Sequence, residues 1–475
     1  MQNLYNLFIN NDNILLHGMA GTGKSYNIRK LIELIDLDDE SKYAILAPTG
    51  IASINIQGQT IHSFFGIKVI SQPSNLSNKK KFDEYINQLT SYPNKLSENL
   101  QYIIIDEISM VGTILITCID KILRKRYNPK LVMGGKQLIM SGDFYQIPPV
   151  KDDYCFNTSI WEEMNVKIIN CNECKRYKNE ITYNIMKELR IAKLNDDIIN
   201  KLTERKLAYQ NKEYLNLPIQ PIEIYTKNIN VDYINNRELE NIEGEEFTFK
   251  AKDSINILNT RIPGIKNKIQ TELETLMPSN VNLKIGCQVM LIRNYSIEEK
   301  LVNGRMGILV GCSQASSSGF TCESDFVKQN QNRINEEQQN TDQVSSLDRI
   351  GQQNTDKSTI SGQDNVNPNE VEWLDIKFAD ETVRRIYRMT LEIKKPNKYI
   401  CTRNQFPVKL AWAITSNKSQ GMTLDYAIID LKDVFNNGQA YVAISRIIDI
   451  NNLFIKGISF NKITCSEEVL NKFPV

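Results

Sequence analysis

Short apolar runs alternate with amphipathic stretches through the first 150 residues. Ile14–His17, Tyr43–Ala47, Tyr102–Ile105 and Gln137–Met140 are four or five residues long and almost wholly apolar, which predicts buried strands. Helical patterns lie between them, so a parallel sheet covered by helices on both faces is expected. The alternation starts again at Val166–Ile169, runs through a helical stretch over Glu180–Ala192 and reaches Ile222–Tyr225. Tyr426–Leu431 and Leu453–Lys456 supply two further strand patterns near the C-terminus. The fold class predicted is α/β, in two units, the second interrupted. Lys284–Arg293 and Val371–Arg388 predict strands of a small β-rich module at the interruption. Between them, residues 312–370 hold no Trp or Tyr and carry an imperfect repeat, Gln338-Gln339-Asn340-Thr341-Asp342 and Gln352-Gln353-Asn354-Thr355-Asp356. Such a segment buries too little apolar surface to offset its ordering entropy and is predicted to be disordered.

The length of 475 residues suits roughly three domains at about 150 residues each. A net charge of +1 excludes binding of polyanions through bulk charge alone. That total is an average: the stretch 312–370 carries four basic and nine acidic residues, so the rest of the chain is mildly basic at +6. Basic side chains gathered into one groove remain compatible with nucleic acid. No apolar run of 18 residues exists, and the N-terminus has the pattern of neither a signal peptide nor a transit segment, so no secretion, transit or membrane signal is expected. Nine scattered cysteines read as free thiols of a reducing, intracellular compartment, nucleus and cytoplasm being left open. Cys171 and Cys174 have the spacing of half a zinc site, but with no second pair and only two histidines a metal is not expected.

Chemistry enters with Gly18-Met19-Ala20-Gly21-Thr22-Gly23-Lys24-Ser25, a complete phosphate-binding loop between a strand and a helix. Backbone N–H groups of the loop and of the helix start form an anion nest, Lys24 neutralises β/γ oxygens, and Ser25 is a Mg²⁺ ligand. Asp106 and Glu107 end the strand Tyr102–Ile105, where Asp106 can join the Mg²⁺ shell and Glu107 can act as general base on water. Gln146, in Gly142-Asp143-Phe144-Tyr145-Gln146, ends the next strand and can reach a γ-phosphate. ATP and Mg²⁺ are therefore the expected substrate and cofactor.

These motifs, with their order, resemble the Pif-type (petite integration frequency) DNA helicases, close relatives of RecD in helicase superfamily one. The resemblance rests also on Ala47–Ser53, Gly58–Phe65, Asp120–Val150, Lys284–Leu291, Leu301–Gly304, Lys418–Leu424 and Gly438–Arg446. It implies two RecA-like P-loop NTPase domains with parallel sheets, a small wedge insertion and a small β-rich (SH3-like) accessory domain. Mapped onto this chain, the implied first domain is 1–160 with the wedge at about 67–98. The second is 161–292 and 405–475, and the accessory domain is 293–404. The activity implied is ATP-dependent translocation 5′ to 3′ on single-stranded DNA with unwinding of forked duplex, in replication, repair, recombination or telomere maintenance, by a monomeric motor. By the same resemblance Gln2 reads adenine, Arg176 and Arg446 reach across the nucleotide cleft, and Gln420 and Gly421 link the γ-phosphate to the DNA track.

The DNA contacts expected are Pro48, Thr49, Gly50, Thr60, His62, Ser63, Asn303, Asn417 and Lys418, with Phe65 left to the core. Lys79-Lys80-Lys81 reads as a solvated face, and Arg384, Arg385 and Arg388 as either channel lining or mere surface. Two residues depart from the family pattern: Asn417 stands where His is usual, and Tyr177 where Gln is usual. A scaffold that binds ATP and nucleic acid without unwinding, or a motor on RNA, are the alternatives.

Overall fold

The computed structural model describes residues 2–34, 41–56, 58–68, 70, 72, 78–91, 93–174, 176–225, 231–258, 264–296, 298–313, 372–395, 399–416, 418–419, 421–432 and 434–474. The predicted disorder beyond Ser313, and the candidate residues Asn417 and Gln420, lie outside these residues.

Six strands, β1 (Ile14–His17), β2 (Tyr43–Ala47), β3 (Gln59–Thr60), β4 (Tyr102–Ile105), β5 (Gln137–Gly142) and β6 (Lys167–Asn170), form one parallel sheet in the order β3-β2-β4-β5-β1-β6. Because side chains alternate across a strand, each apolar run feeds both faces. Ile14, Leu16, Ile104 and Ile139 pack under helices α1 (Gln2–Ile9) and α2 (Lys24–Leu34). Leu15, Ile103, Ile105, Leu138 and Met140 face the opposite layer, which holds α4 (Ile61–Phe65), α5 (Lys79–Leu89), α6 (Thr113–Arg126) and α7 (Ser159–Glu163); α3 (Gly50–Asn55) follows β2. Phe65 is fully buried in that layer, as expected. The Lys79–Lys81 run opens α5 on its exposed side.

One assignment is corrected. The Val166–Ile169 pattern, expected to open the second unit, lies in β6, which pairs with β1 at the edge of the first sheet. An edge strand needs only one buried face, and its alternating burial is the mark of one. The first sheet therefore extends past the expected boundary at 160.

A second parallel sheet is begun by β7 (Ile222–Tyr225). The chain then leaves it, through ten antiparallel strands among the described residues, before returning. These are β8 (Glu246–Lys250), β9 (Lys252–Ile257), β10 (Asn280–Lys284), β11 (Gln288–Leu291), β12 (Met306–Cys312), β13 (Trp373–Phe378), β14 (Val383–Tyr387), β15 (Met389–Lys395), β16 (Tyr399–Gln405) and β17 (Val408–Leu410). They form a five-stranded sheet β14-β13-β12-β11-β17, a pair β10-β8 and a three-stranded sheet β15-β16-β9. The stretch Lys284–Arg293, expected as one strand, is cut at Gly286, whose φ of 91° turns the chain between β10 and β11. β18 (Ala413–Thr415), β19 (Ala427–Leu431) and β20 (Leu453–Ile458) complete the second parallel sheet as β18-β7-β19-β20. Its core takes α8 (Glu180–Arg190), α9 (Asp196–Gln210) and the helix Gln439–Ile444.

After β20 the chain crosses back. Val469 and Phe473, in and beside the last helix Glu467–Lys472, are buried in the core of the first unit. The Phe473 ring stacks on Phe144 at 4.8 Å and 17°, sits 4.8 Å from His17, and its carbonyl accepts from the Tyr145 hydroxyl at 2.6 Å. Removing a buried phenylalanine ring costs about 3–5 kcal/mol. Phe473→Ala is thus expected to lower the melting midpoint, with Phe473→Leu closer to the unchanged protein, as read by thermal unfolding.

Candidate active site

The phosphate loop leaves β1 at His17 and enters α2 at Lys24. Gly21 has φ of 84°, and a Cβ there would lie 2.4 Å from the Cβ of Arg176, so only glycine permits both the turn and this approach. Thr22 Oγ1 donates to the Met19 carbonyl at 2.9 Å and closes the loop on itself. Lys24 Nζ donates to the carbonyls of Gly18 at 2.7 Å and Met19 at 2.8 Å. Desolvation pulls the Lys24 pKa below the usual lysine value, against the pull of Asp143, Glu107 and Asp106. Cys171 and Cys174, read as unlinked to a metal, both abut the loop: the Cys171 carbonyl would meet a Cβ at Gly18, and Cys174 Sγ lies 3.5 Å from the Ala20 carbonyl.

Ser25 Oγ donates to Asp106 Oδ2 at 3.2 Å, which brings the two expected Mg²⁺ ligands together. The Ser141 hydroxyl and the Glu107 N–H both bond Asp106 Oδ1, the latter at 3.0 Å, and fix the carboxylate. Glu107 holds a left-handed backbone, φ 53° and ψ 47°, unusual outside glycine and asparagine. Burial, then the neighbouring Asp106 charge, push its pKa up to about 7, while Lys24 and Arg446 work against them. Gln146 is buried, and its N–H donates to the Asp143 carbonyl at 2.9 Å.

Asp143 is wholly buried and ties the halves of the cleft together. Arg190, the last residue of α8, meets it through Nε at 3.0 Å and Nη2 at 2.9 Å, with the guanidinium 4.3 Å from the Tyr145 ring. Burial would raise the Asp143 pKa, but Arg190, His17 and Lys24 outweigh it and hold it below the usual carboxylate value. His17 Nε2 lies 3.7 Å from Asp143 yet accepts from the Phe144 N–H at 3.3 Å. Burial brings the His17 pKa down to about 4, so the ring is neutral at pH 7 and its proximity to Asp143 is no ion pair.

Arg176 packs on Gly21 of the loop, and the Arg446 charge is felt at Glu107. Arg176 Nη1 donates to the Ser445 carbonyl at 3.2 Å. Arg446 is buried, bonding the Val442 carbonyl through Nε and Ser445 Oγ through Nη2, both at 2.8 Å. Burial, and then Arg176, pull its pKa down to about 10, which leaves it charged at pH 7. The Tyr177 hydroxyl is buried without a hydrogen-bond partner among the described residues.

The remaining candidates are spread over several further places. Pro48, Thr49 and His62 line a cleft of about 270 Å³ whose other walls include Tyr85 and Leu89 of α5, and Val150. The side-chain oxygens of Thr49 and Thr60 accept from the Ala52 and Ser63 N–H groups at 3.2 Å, capping their helices, and each keeps its O–H as a donor. Gly50 begins α3, and Ser63 lies half-buried in α4. Asn303 meets Thr423 through its carbonyl at 3.3 Å, which sets it beside Gly421. Lys418 is exposed, its N–H on Thr415 Oγ1 at 3.3 Å. Gln2 is exposed at the start of α1 with its amide on Asn6 at 3.1 Å. Arg385 pairs with Asp375 at 3.0 Å, Arg384 with Glu299 at 3.7 Å, and Arg388 with Glu372, so their charges are largely answered within the β-rich module.

Arg190 is the residue that sequence reading missed. The signal was there: it shares the buried face of α8 with Thr182, Ile185, Met186 and Leu189, and an arginine on an apolar face demands a buried anion.

A profile of PIF1-like helicases matches residues 4–212. The ATP-dependent DNA helicase PIF1 of Candida albicans is 29% identical over 95% of this chain and 53% of its own length, so the chain spans about half of that relative. The solved Bacteroides sp Pif1 in complex with ADP-AlF4 is 25% identical, covers 99% of this chain and 95% of its own, and has a TM-score of 0.67. Bacteroides Pif1 bound to ssDNA is 25% identical, with the same two coverages and a TM-score of 0.54. A phosphate loop, an acidic strand end and two arginines in one cleft thus accompany a likeness to the PIF1-like helicases that a family match gives over residues 4–212 and the relatives give over nearly the whole chain.

Proposed function

We propose that the chain is an ATP-driven motor that moves 5′ to 3′ along single-stranded DNA and parts forked duplex. The observation that carries the reading is the phosphate loop with Lys24 and with Ser25 bonded to Asp106, Arg176 packed on Gly21 of that loop, and Arg446 near enough to Glu107 for its charge to oppose the rise of the Glu107 pKa. The relatives are ATP-dependent DNA helicases by name, and one is solved on single-stranded DNA. Polarity comes from the family resemblance.

Lys24 exchanges the carbonyls of Gly18 and Met19 for phosphate oxygens when ATP enters. Ser25 and Asp106, already bonded to each other, fit a Mg²⁺ ion, which when bound neutralises charge on the β/γ oxygens. Glu107 accepts the proton of the attacking water, and Gln146 orients that water against the γ-phosphate. Arg446 and Arg176 leave their bonds near Ser445 to meet the transferring phosphoryl group, so hydrolysis requires the cleft to close. Closure shifts the second sheet against the first. Contacts of Pro48, Thr49, Gly50, Thr60, His62 and Ser63 on one side, and of Asn303, Asn417 and Lys418 on the other, then alternate along the strand, with Gln420 and Gly421 carrying the coupling and Gln2 holding adenine. The insertion around α5 acts as the wedge.

Glu107→Gln is expected to cut kcat of DNA-stimulated ATP hydrolysis by about 10² to 10⁴, the usual span for a general base, and Lys24→Ala to abolish it. Turnover near the unchanged rate in either variant contradicts these roles. A base with its pKa near 7 is protonated and idle at pH 6, so kcat/KM should rise with pH through about 7 and then level. Strand displacement on DNA and RNA duplexes with 5′ or 3′ tails tests the motor itself: unwinding is expected for 5′-tailed DNA, and unwinding of the 3′-tailed duplex alone refutes the polarity.

A further inference from the structure

The helix Gln439–Ile444 that precedes Arg446 touches the phosphate loop directly. Tyr441, 1% exposed, lies in the middle of that helix. Its hydroxyl accepts from the Ala20 N–H at 3.3 Å and donates to Asp143 Oδ2 at 3.2 Å. The helix can come this near because Gly438, at φ 70°, packs on the carbonyls of Tyr145 and Gln146; a Cβ there would lie 2.3 Å from the first and 2.7 Å from the second. Asp143 is in turn held by Arg190, and its backbone carbonyl accepts from Gln146. One hydroxyl thus joins an amide of the phosphate loop, the carboxylate at the exit of β5, and the helix that carries an arginine toward the phosphates.

We propose that Tyr441 is a positioning residue that couples the phosphate loop to the Arg446 helix through Asp143. It touches no reacting atom. A phenol bonded on both sides has one rotational setting, so a displacement of the loop is passed to the helix, and the helix registers whether the loop is filled. The ring keeps its place without the oxygen, because it packs among Leu424, Ala440, Ala443 and their neighbours in the core of the second sheet. The hydroxyl is therefore separable from the packing. The kinetic half of this proposal rests on the ATPase reading above, while the hydrogen-bond half does not.

The test is Tyr441→Phe in the full chain, with two readouts. Without nucleotide, hydrogen–deuterium exchange of the peptide holding Ala20 should quicken, since that N–H loses its acceptor. With nucleotide and single-stranded DNA, kcat for ATP hydrolysis should fall at least tenfold, while KM and the dissociation constant of a fluorescent ATP analogue stay within about threefold and the melting midpoint is little changed. A general structural role would lower affinity, melting midpoint and kcat together, and that outcome overturns the proposal. Unchanged exchange at Ala20, or a kcat within twofold of the unchanged protein, overturns it as well. An unsubstituted chain that does not hydrolyse ATP, but whose Ala20 exchange still quickens in the variant, refutes the motor and upholds the link.

Discussion

The ion pair between Asp143 and Arg190 is the interaction on which the arrangement of the cleft depends. One partner ends a strand of the first sheet, the other ends a helix of the second, and neither meets solvent appreciably. Bringing two charges out of water is costly, and the pair offsets that cost only while its geometry is held; removing one partner of such a pair typically costs about 3–5 kcal/mol. Here the geometry is held by Tyr145 under the guanidinium and by the Tyr441 hydroxyl on the second carboxylate oxygen. The pair contributes little as a source of stability beyond what an apolar contact would give. What the pair does is hold α8 at the exit of β5, since a shift there would part each charge from its partner.

Around that anchor the cleft concentrates charge of both signs. Lys24, Arg176, Arg190 and Arg446 face Asp106, Glu107 and Asp143, and the depressed lysine and arginine values beside the raised glutamate express the shared burial. Several of these groups satisfy themselves on nearby oxygens: Lys24 on loop carbonyls, Arg446 on its own helix and Ser445. Those bonds are replaceable. On the function proposed above, a triphosphate offers better acceptors to the same donors and competes with the protein's own backbone rather than filling a void.

Much of this was legible in the chain. Ile14–His17, Tyr43–Ala47, Tyr102–Ile105 and Ile222–Tyr225 are strands with the bounds that their apolar runs predict, because a buried parallel strand is apolar on both faces and ends where polar residues begin. The phosphate loop, Asp106 and Glu107 follow from local spacing. What local spacing lacks is the partner. Nothing in Val166–Ile169 says that its strand joins β1, and nothing in the β-rich module's apolar runs announces the separate sheet β15-β16-β9. Arg190 reaches Asp143 across 47 residues, Tyr441 the same carboxylate across 298 and Phe473 reaches Tyr145 across 328, and a periodic pattern reports only that each is buried. Asn417 and Gln420, carried by resemblance alone, fall outside the described residues.

The return of the chain to the first sheet has a mechanical meaning. The helix at Gln2–Ile9 and the ring of Phe473 are both rooted in the same unit, on opposite layers of its sheet. The whole second sheet with its β-rich module is therefore an excursion that departs after β6 and comes home before Val469. Tension applied between residues 2 and 473 would load the first sheet and its two covering layers, while the excursion hung slack until they yielded. A part slung in this way can rock over the cleft without carrying the strain of its own tether.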